Sequence, residues 1–448
     1  MKLPFERPLI KKINAGMPSK FGLKPTIKPI EKIDGIVVAD LLEKYGSPLF
    51  VISEQTIRET YREAKQAFET RYPKVQFAWS YKTNYLNAVC KIFHQEGAWA
   101  EVVSGMEYDK ALQNGVPGSQ IIFNGPSKSR EDLVKAISND SLIHIDHFDE
   151  LFLTLEIAQS SEKKPKVAIR VNMDTGIYPK WDRFGFNYEN GEAWEALNRI
   201  MLSQKLELVG LHTHIGTYIM TADAYRNAAA KLADLAYNVE RKFKHNVRYI
   251  DLGGGFASKN TLKGAYHTGI DTTPSFEEYA EAISGALISS NLNPEKLPVL
   301  ILETGRALID DAGYILGTVI ANKRLSDGRR SLIVDVGVNL LFTSFWYEHE
   351  IYPAKGETQF TEETTIYGPL CMNIDVLRAA IDFPVLKSGD NFVIKRTGAY
   401  NMTQWMQFIH NRPAIVLIDE NGESHLIREH ETLETIMHHE KMPDHLKD

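Results

Sequence analysis

An amine offered to a carbonyl at the end of an apolar strand is a nucleophile in waiting, and Lys82 closes such a run in Phe77-Ala78-Trp79-Ser80-Tyr81. Partial desolvation lowers an ammonium pKa and frees the amine to form a Schiff base. A lysine that merely reaches for solvent fits the same residues, so the neighbours downstream must decide. Leu252-Gly253-Gly254-Gly255-Phe256 follows a second β-prone run, and its glycines let backbone N–H groups close on an anion, although a plain tight turn reads the same way. His212-Thr213-His214 ends a third run. Alternate strand residues share a side, so one of the two histidines faces the site, either as a ring to stack or as a hydrogen-bonded core residue. The Thr217 hydroxyl follows, placed to donate to phosphate. Glu303 and Arg306 flank Gly305. That pairing suits a pyridine nitrogen and a phosphate, or else a structural ion pair.

Together, a lysine for an imine, a carboxylate for a ring nitrogen, glycines and arginine for phosphate, and a stacking ring describe a pyridoxal 5′-phosphate site. The conjunction is far more specific than any of its parts.

These residues need a scaffold that brings strand ends together. β-rich runs at 75–81, 99–103, 120–123, 142–145, 166–171, 207–212, 247–252 and 298–302 are each followed by a segment with helical spacing, as in 224–243. Eight such units predict an α/β fold, a closed (β/α)8 barrel, whose active face is the C-terminal rim. Glu101, Asn124, Asp146 and Arg170 fall at the same strand ends as the residues above. Beyond about residue 312 the pattern changes to alternating strands, a β domain. The expected division is 1–47 as a segment packing on the β domain, 48–311 as the barrel and 312–448 as the β domain.

Composition narrows the class. The 448-residue chain carries a formal net charge of -7 and has no basic block with interleaved aromatics, so no nucleic-acid partner is expected. Two cysteines, Cys90 and Cys371, exclude a disulfide framework and a structural zinc cluster, which fits a reducing cytoplasm. The N-terminus lacks a signal-peptide core, and no apolar run is long enough to span a bilayer.

The motifs resemble those of the fold type III pyridoxal-phosphate decarboxylases, nearest the diaminopimelate decarboxylases and more distantly the ornithine and arginine decarboxylases. Ser80-Tyr81-Lys82-Thr83-Asn84 is similar to the family's lysine motif, and Glu101-Val102-Val103-Ser104-Gly105 to its acidic motif, with glutamate for aspartate. His214-Ile215-Gly216-Thr217 matches the motif of the stacking histidine, Gly253, Gly254 and Gly255 the phosphate loop, and Glu303-Thr304-Gly305-Arg306 the glutamate and arginine pair. Gly368-Pro369-Leu370-Cys371 resembles the catalytic-cysteine motif and Gly398-Ala399-Tyr400 the tyrosine that borders the cofactor.

The resemblance implies Lys82, Cys371, Glu303 and His214 as catalytic residues, with Glu101, Thr217, Gly305, Arg306 and Tyr400 also on the cofactor. It implies a homodimer in which Cys371 crosses to the other subunit and returns a proton to Cα. In the substrate pocket, Thr343 and Met372 stand where diaminopimelate decarboxylases carry an arginine and a glutamate, while Tyr347-Glu348-His349 resembles the acid motif of ornithine decarboxylases. A second substrate carboxylate without its arginine loses on the order of a few kcal/mol. The expectation is therefore a decarboxylase of a specialised siderophore, antibiotic or modified-peptide pathway. A meso-diaminopimelate decarboxylase making L-lysine is the alternative, followed by an amino-acid racemase and a non-catalytic regulatory homologue.

Overall fold

Strands that alternate one inward and one outward side chain can close on themselves only if both faces are covered, and the central eighth-by-eighth assembly of this chain meets that condition. The computed structural model describes residues 27–264, 272–356 and 361–447. Its barrel strands are β1 (Val75–Ser80), β2 (Trp99–Val102), β3 (Ile121–Phe123), β4 (Leu142–Ile145), β5 (Lys166–Asn172), β6 (Glu207–His212), β7 (Tyr249–Asp251) and β8 (Val299–Leu302). Each pairs in parallel with the next, and β8 pairs with β1, so the sheet is a closed ring in chain order. All eight runs read from the sequence are present.

The interior is filled in layers. Ala78, Ile122, Leu142, Ala168, Tyr249 and Ile301 form an apolar cluster inside the ring, with Trp99 packed against it. Two residues further along the same strands come Ser80, Asn124, His144, Arg170, Asp251, Glu303 and Glu101. The two-residue strand period puts them on the same inward face, one layer nearer the C-terminal mouth. A polar layer above an apolar plug follows directly from the sequence period.

Helices cover the outside through apolar stripes. Ala222–Phe243 buries Ala224, Tyr225, Ala228, Ala229, Leu232, Ala233, Leu235, Ala236 and Val239 at three- and four-residue steps. Asn87–Gln95 stacks Phe93 on the fully buried Trp79 of β1, with ring centroids 3.7 Å apart at 11°.

The β domain is a mixed sheet whose long strand Gly313–Arg324 pairs antiparallel with Leu49–Ser53, Arg330–Val334 and Asn391–Lys395. Leu49–Ser53 also pairs in parallel with Ile415–Ile418. The chain thus enters the β domain before it builds the barrel, and returns to it afterwards. Helix Val38–Tyr45 lays Val38, Leu41 and Leu42 on this sheet beside Val51, Leu316 and Val416. Residues 1–26 of the N-terminal segment lie outside the described residues. No helix among the described residues is long and apolar enough to cross a membrane.

The Trp79 and Phe93 stack joins strand to helix, so Phe93→Ala should leave a cavity and cost about 3–5 kcal/mol. Urea unfolding followed by tryptophan fluorescence checks this. A loss below about 1 kcal/mol would show that the stack is not a main tie between helix and barrel.

Candidate active site

The ends of β1, β2, β3, β5, β6, β7 and β8 line a cavity of about 630 Å³. Lys82, Glu101, His214, Thr217, Gly254, Gly255, Glu303, Gly305, Arg306, Tyr347 and Tyr400 all line it. Gly253 lies just behind, with φ +66° and its N–H donating to Asp251 Oδ1 at 2.7 Å.

Lys82 sits in the single turn Tyr81–Thr83 that ends β1. Its Nζ lies 2.6 Å from Glu101 Oε2. Burial alone would push the ammonium down, but the carboxylates of Glu101 and Glu303 and the nearby phenol of Tyr400 hold it above the usual lysine range. In the cofactor-free protein this amine is therefore charged, and it must lose a proton before it can attack a carbonyl. Glu101 is buried, which raises its pKa, yet the Lys82 ammonium more than offsets that and keeps it ionised.

Asn124 bridges the two acids, donating from Nδ2 to Glu101 Oε1 at 3.1 Å and Glu303 Oε1 at 2.6 Å. Burial first, then the charges of Asp251 and Glu101, push Glu303 well above the usual carboxylate range. His214 Nδ1 accepts from Gly254 N at 3.1 Å, and Trp181 meets the ring edge-on at 5.5 Å. Burial, then the positive charges of Arg170 and Lys82, hold His214 neutral at physiological pH. A neutral ring fixed at one nitrogen and wedged by an aromatic neighbour is suited to lie flat against another ring.

The phosphate end is equally shaped. A Cβ on Gly254 would stand 2.4 Å from the Glu303 carbonyl oxygen, and one on Gly255, at φ +97°, would stand 2.2 Å from that of Gly216. Both contacts are backbone and cannot yield, so only glycine fits. Arg306 is held between the rings of Tyr347, 5.0 Å away, and Tyr400, 4.6 Å away. It is buried, and its Nη1, 3.9 Å from Asp310 Oδ2, has no hydrogen-bond partner among the described residues. A buried guanidinium with a spare N–H at a glycine-lined end fits a phosphate. The amine, the acid with a raised pKa, the flat ring and the anion cradle together fit pyridoxal 5′-phosphate.

Besides Gly253, four residues read as functional from the sequence do not reach the cavity. Thr343 is buried in the β domain, its hydroxyl bonded to Asn401 Oδ1 and His349 Nε2, both at 2.8 Å. Glu348 is turned to Arg378 at 3.6 Å. Cys371 is exposed, and Met372 follows it on the same loop. That loop is folded around Asp375, whose Oδ2 accepts from Leu370 N at 2.7 Å and Oδ1 from Val338 N at 2.8 Å. Tyr347, read as a substrate contact, lines the cavity with its ring beside the Arg306 guanidinium. Sequence reasoning passed over Trp181, Phe184, Leu262, Trp346 and Gln404, which form the outer wall. They come from irregular loops or isolated positions whose period carries no signal.

Because the Glu101 carboxylate holds Lys82 protonated, Glu101→Gln should leave burial to dominate and move covalent capture of pyridoxal 5′-phosphate to lower pH. The shift should be about one pH unit after allowance for screening in the open cavity. Rates of the absorbance change against pH measure it. An unshifted or upward profile would remove Glu101 from that role.

Comparison with known proteins agrees with this chemistry. Residues 54–310 match the family model described as pyridoxal-dependent decarboxylase, pyridoxal binding domain. Diaminopimelate decarboxylase of Bacillus subtilis (strain 168) is 31% identical over 91% of this chain and 94% of its own. That of Methanocaldococcus jannaschii is 29% identical over 92% and 95%. The crystal structure of the M. jannaschii enzyme superposes with a TM-score of 0.85 at 28% identity, covering 94% of this chain and 99% of that one. A family model spanning more than half the chain, and relatives that match along nearly all of it, show that the chain belongs to the pyridoxal-dependent decarboxylases of fold type III and resembles the diaminopimelate decarboxylases.

Proposed function

We propose that this decarboxylase acts on an amino acid, or an amino-acid-derived intermediate, whose distal end is not a second free carboxylate, in a specialised siderophore, antibiotic or modified-peptide pathway. The observation that carries the reading is the outer wall of the cavity. Beyond the cofactor residues it offers Trp181, Phe184, Leu262, Trp346 and Gln404, all uncharged. Arg170 also lines the cavity, but it faces Asp146 at 3.6 Å and lies over the Phe184 ring at 4.5 Å. Thr343 and Met372 bring no cation to the positions where diaminopimelate decarboxylases keep charged groups.

When bound, pyridoxal 5′-phosphate supplies a protonated pyridine that accepts the electron pair of the breaking bond between Cα and the carboxylate. The protein's part is to hold and to move protons. Lys82 is the amine that takes the cofactor's carbonyl carbon. Glu303 would hold a proton at the ring nitrogen, and His214 would lie against the ring. The N–H groups around Gly253, Gly254 and Gly255, with Thr217, Gly305 and Arg306, take the phosphate, and Tyr400 borders the site. Cys371 returns a proton to Cα once CO2 has left, a thiol being a soft and mobile acid.

The exposed position of Cys371 supports a homodimer in which each site draws its thiol from the second copy. Half-exposed Trp346 and Ile374 add an uncovered apolar rim near the mouth and the cysteine loop. A soluble, cytoplasmic enzyme is consistent with this reading. The second reading, a meso-diaminopimelate decarboxylase making L-lysine, is favoured by the match to such enzymes along more than 90% of the chain.

Release of CO2 from a panel of both enantiomers of lysine and ornithine, their modified derivatives and meso-diaminopimelate separates the two. Turnover of meso-diaminopimelate well above every other compound would overturn the specialised reading. For the shared site, Lys82→Ala and Cys371→Ala should each be nearly inactive. Mixed and allowed to exchange subunits, they should recover up to about a quarter of wild-type activity, because half of the random dimers are hybrid and each hybrid has one intact site. No recovery despite proven exchange would place Cys371 on its own chain's site or outside the chemistry.

A further inference from the structure

Below the cavity the barrel holds more acid than base. Asp251 and Glu303 are buried beside His144 and His212, with polar atoms of the four groups within 4.8 Å of one another. The nearby cations are already committed. Lys82 is 2.6 Å from Glu101, Lys128 is 2.7 Å from Glu150, and Arg170 is 3.6 Å from Asp146. Two carboxyls are left in a dry compartment without a cation of their own, and like charges so placed do not both ionise. In keeping with this, burial pushes Asp251 up to about 7.

Hydrogen-bond accounting leads to the same place. Asp251 Oδ1 accepts from Gly253 N, and Glu303 Oε1 from Asn124 Nδ2. Asp251 Oδ2 has no donor among the described residues. His144 meets Tyr249 Oη through Nε2 at 2.9 Å, while its Nδ1 points at Glu303 Oε1 at 4.0 Å. His212 Nδ1 lies 3.4 Å from Asp251 Oδ1 and 4.0 Å from Glu303 Oε1. Neither Nδ1 has a hydrogen-bond partner among the described residues. A buried carboxylate oxygen whose neighbour is a second carboxyl is satisfied by a proton between the two.

We propose that Asp251 is a positioning residue for Glu303, the two carboxyls holding one proton between them under the imidazoles of His144 and His212, so that Glu303 meets a bound cofactor already carrying the proton its ring nitrogen needs. The proposal rests on the reading of Glu303 as the partner of that nitrogen. On binding, the O–H bond of Glu303 breaks as an N–H bond forms on the ring. The pair becomes doubly negative against one new positive charge, so the net charge of the compartment is unchanged and no proton need come from water.

Infrared difference spectroscopy of cofactor-free against cofactor-loaded protein reads this proton, with loading followed independently by visible absorbance. The cofactor-free protein at neutral pH should show a carboxylic-acid C=O stretch that disappears on loading and is missing from Glu303→Gln. In Asp251→Asn the band should titrate at least about one pH unit lower, a tenfold weaker hold on the proton, while Asp251→Glu should keep it. Absence of an acid band from the wild-type cofactor-free protein would overturn the proposal without recourse to any variant. So would a titration that Asp251→Asn leaves unmoved. A band that responds to Asp251→Asn but survives loading would instead overturn the placing of Glu303 at the ring nitrogen.

Discussion

The ion pair between Lys82 and Glu101 governs the mouth of the barrel. It is one ammonium set among carboxyls in a compartment that water reaches from one side only, and every neighbouring group takes its charge from that imbalance. Glu101 stays ionised because Lys82 faces it, and Glu303 and Asp251 are pushed toward the acid form by burial first and then by the neighbouring carboxyls. The histidines of the same layer are held neutral by burial and by Arg170 and Lys82. Charged groups at close quarters in a dry site are costly unless paired.

The scaffold imposes this arrangement through the strand period. An inward residue two places before each polar group fills the plug, and closure of the ring brings the polar groups of distant strands within reach of one another. Asn124, just after β3, can touch both Glu101 on β2 and Glu303 just after β8 only because the sheet is closed. An open sheet with the same strands would leave them at opposite edges.

Much of this was legible in the sequence, and for a definite reason. Lys82, the three glycines, His214 and the Glu303 and Arg306 pair lie in contiguous motifs at strand ends, where local periodicity and residue type coincide. Asp251 escaped notice because it stands inside a short buried strand, next to Tyr249 and Ile250, and reads as core. The substrate end was less legible still. Thr343, Glu348 and Met372 are placed by packing within the β domain, and nothing local to them reports that Thr343 turns to Asn401 or Glu348 to Arg378. Leu49–Ser53 illustrates the same limit, since five consecutive buried residues next to a barrel read as part of it until their partners in the sheet are known.

That strand has a consequence during synthesis. Leu49–Ser53 leaves the ribosome ahead of the entire barrel, yet the strands that flank it, Gly313–Arg324 and Ile415–Ile418, are made only after the barrel is complete. For all that time the nascent chain carries an apolar strand with both edges unpaired, an invitation to pairing with other chains. Pairing along both edges of this segment therefore waits until Ile415–Ile418 has been made, and the long loop so closed is the kind of non-local contact that slows folding.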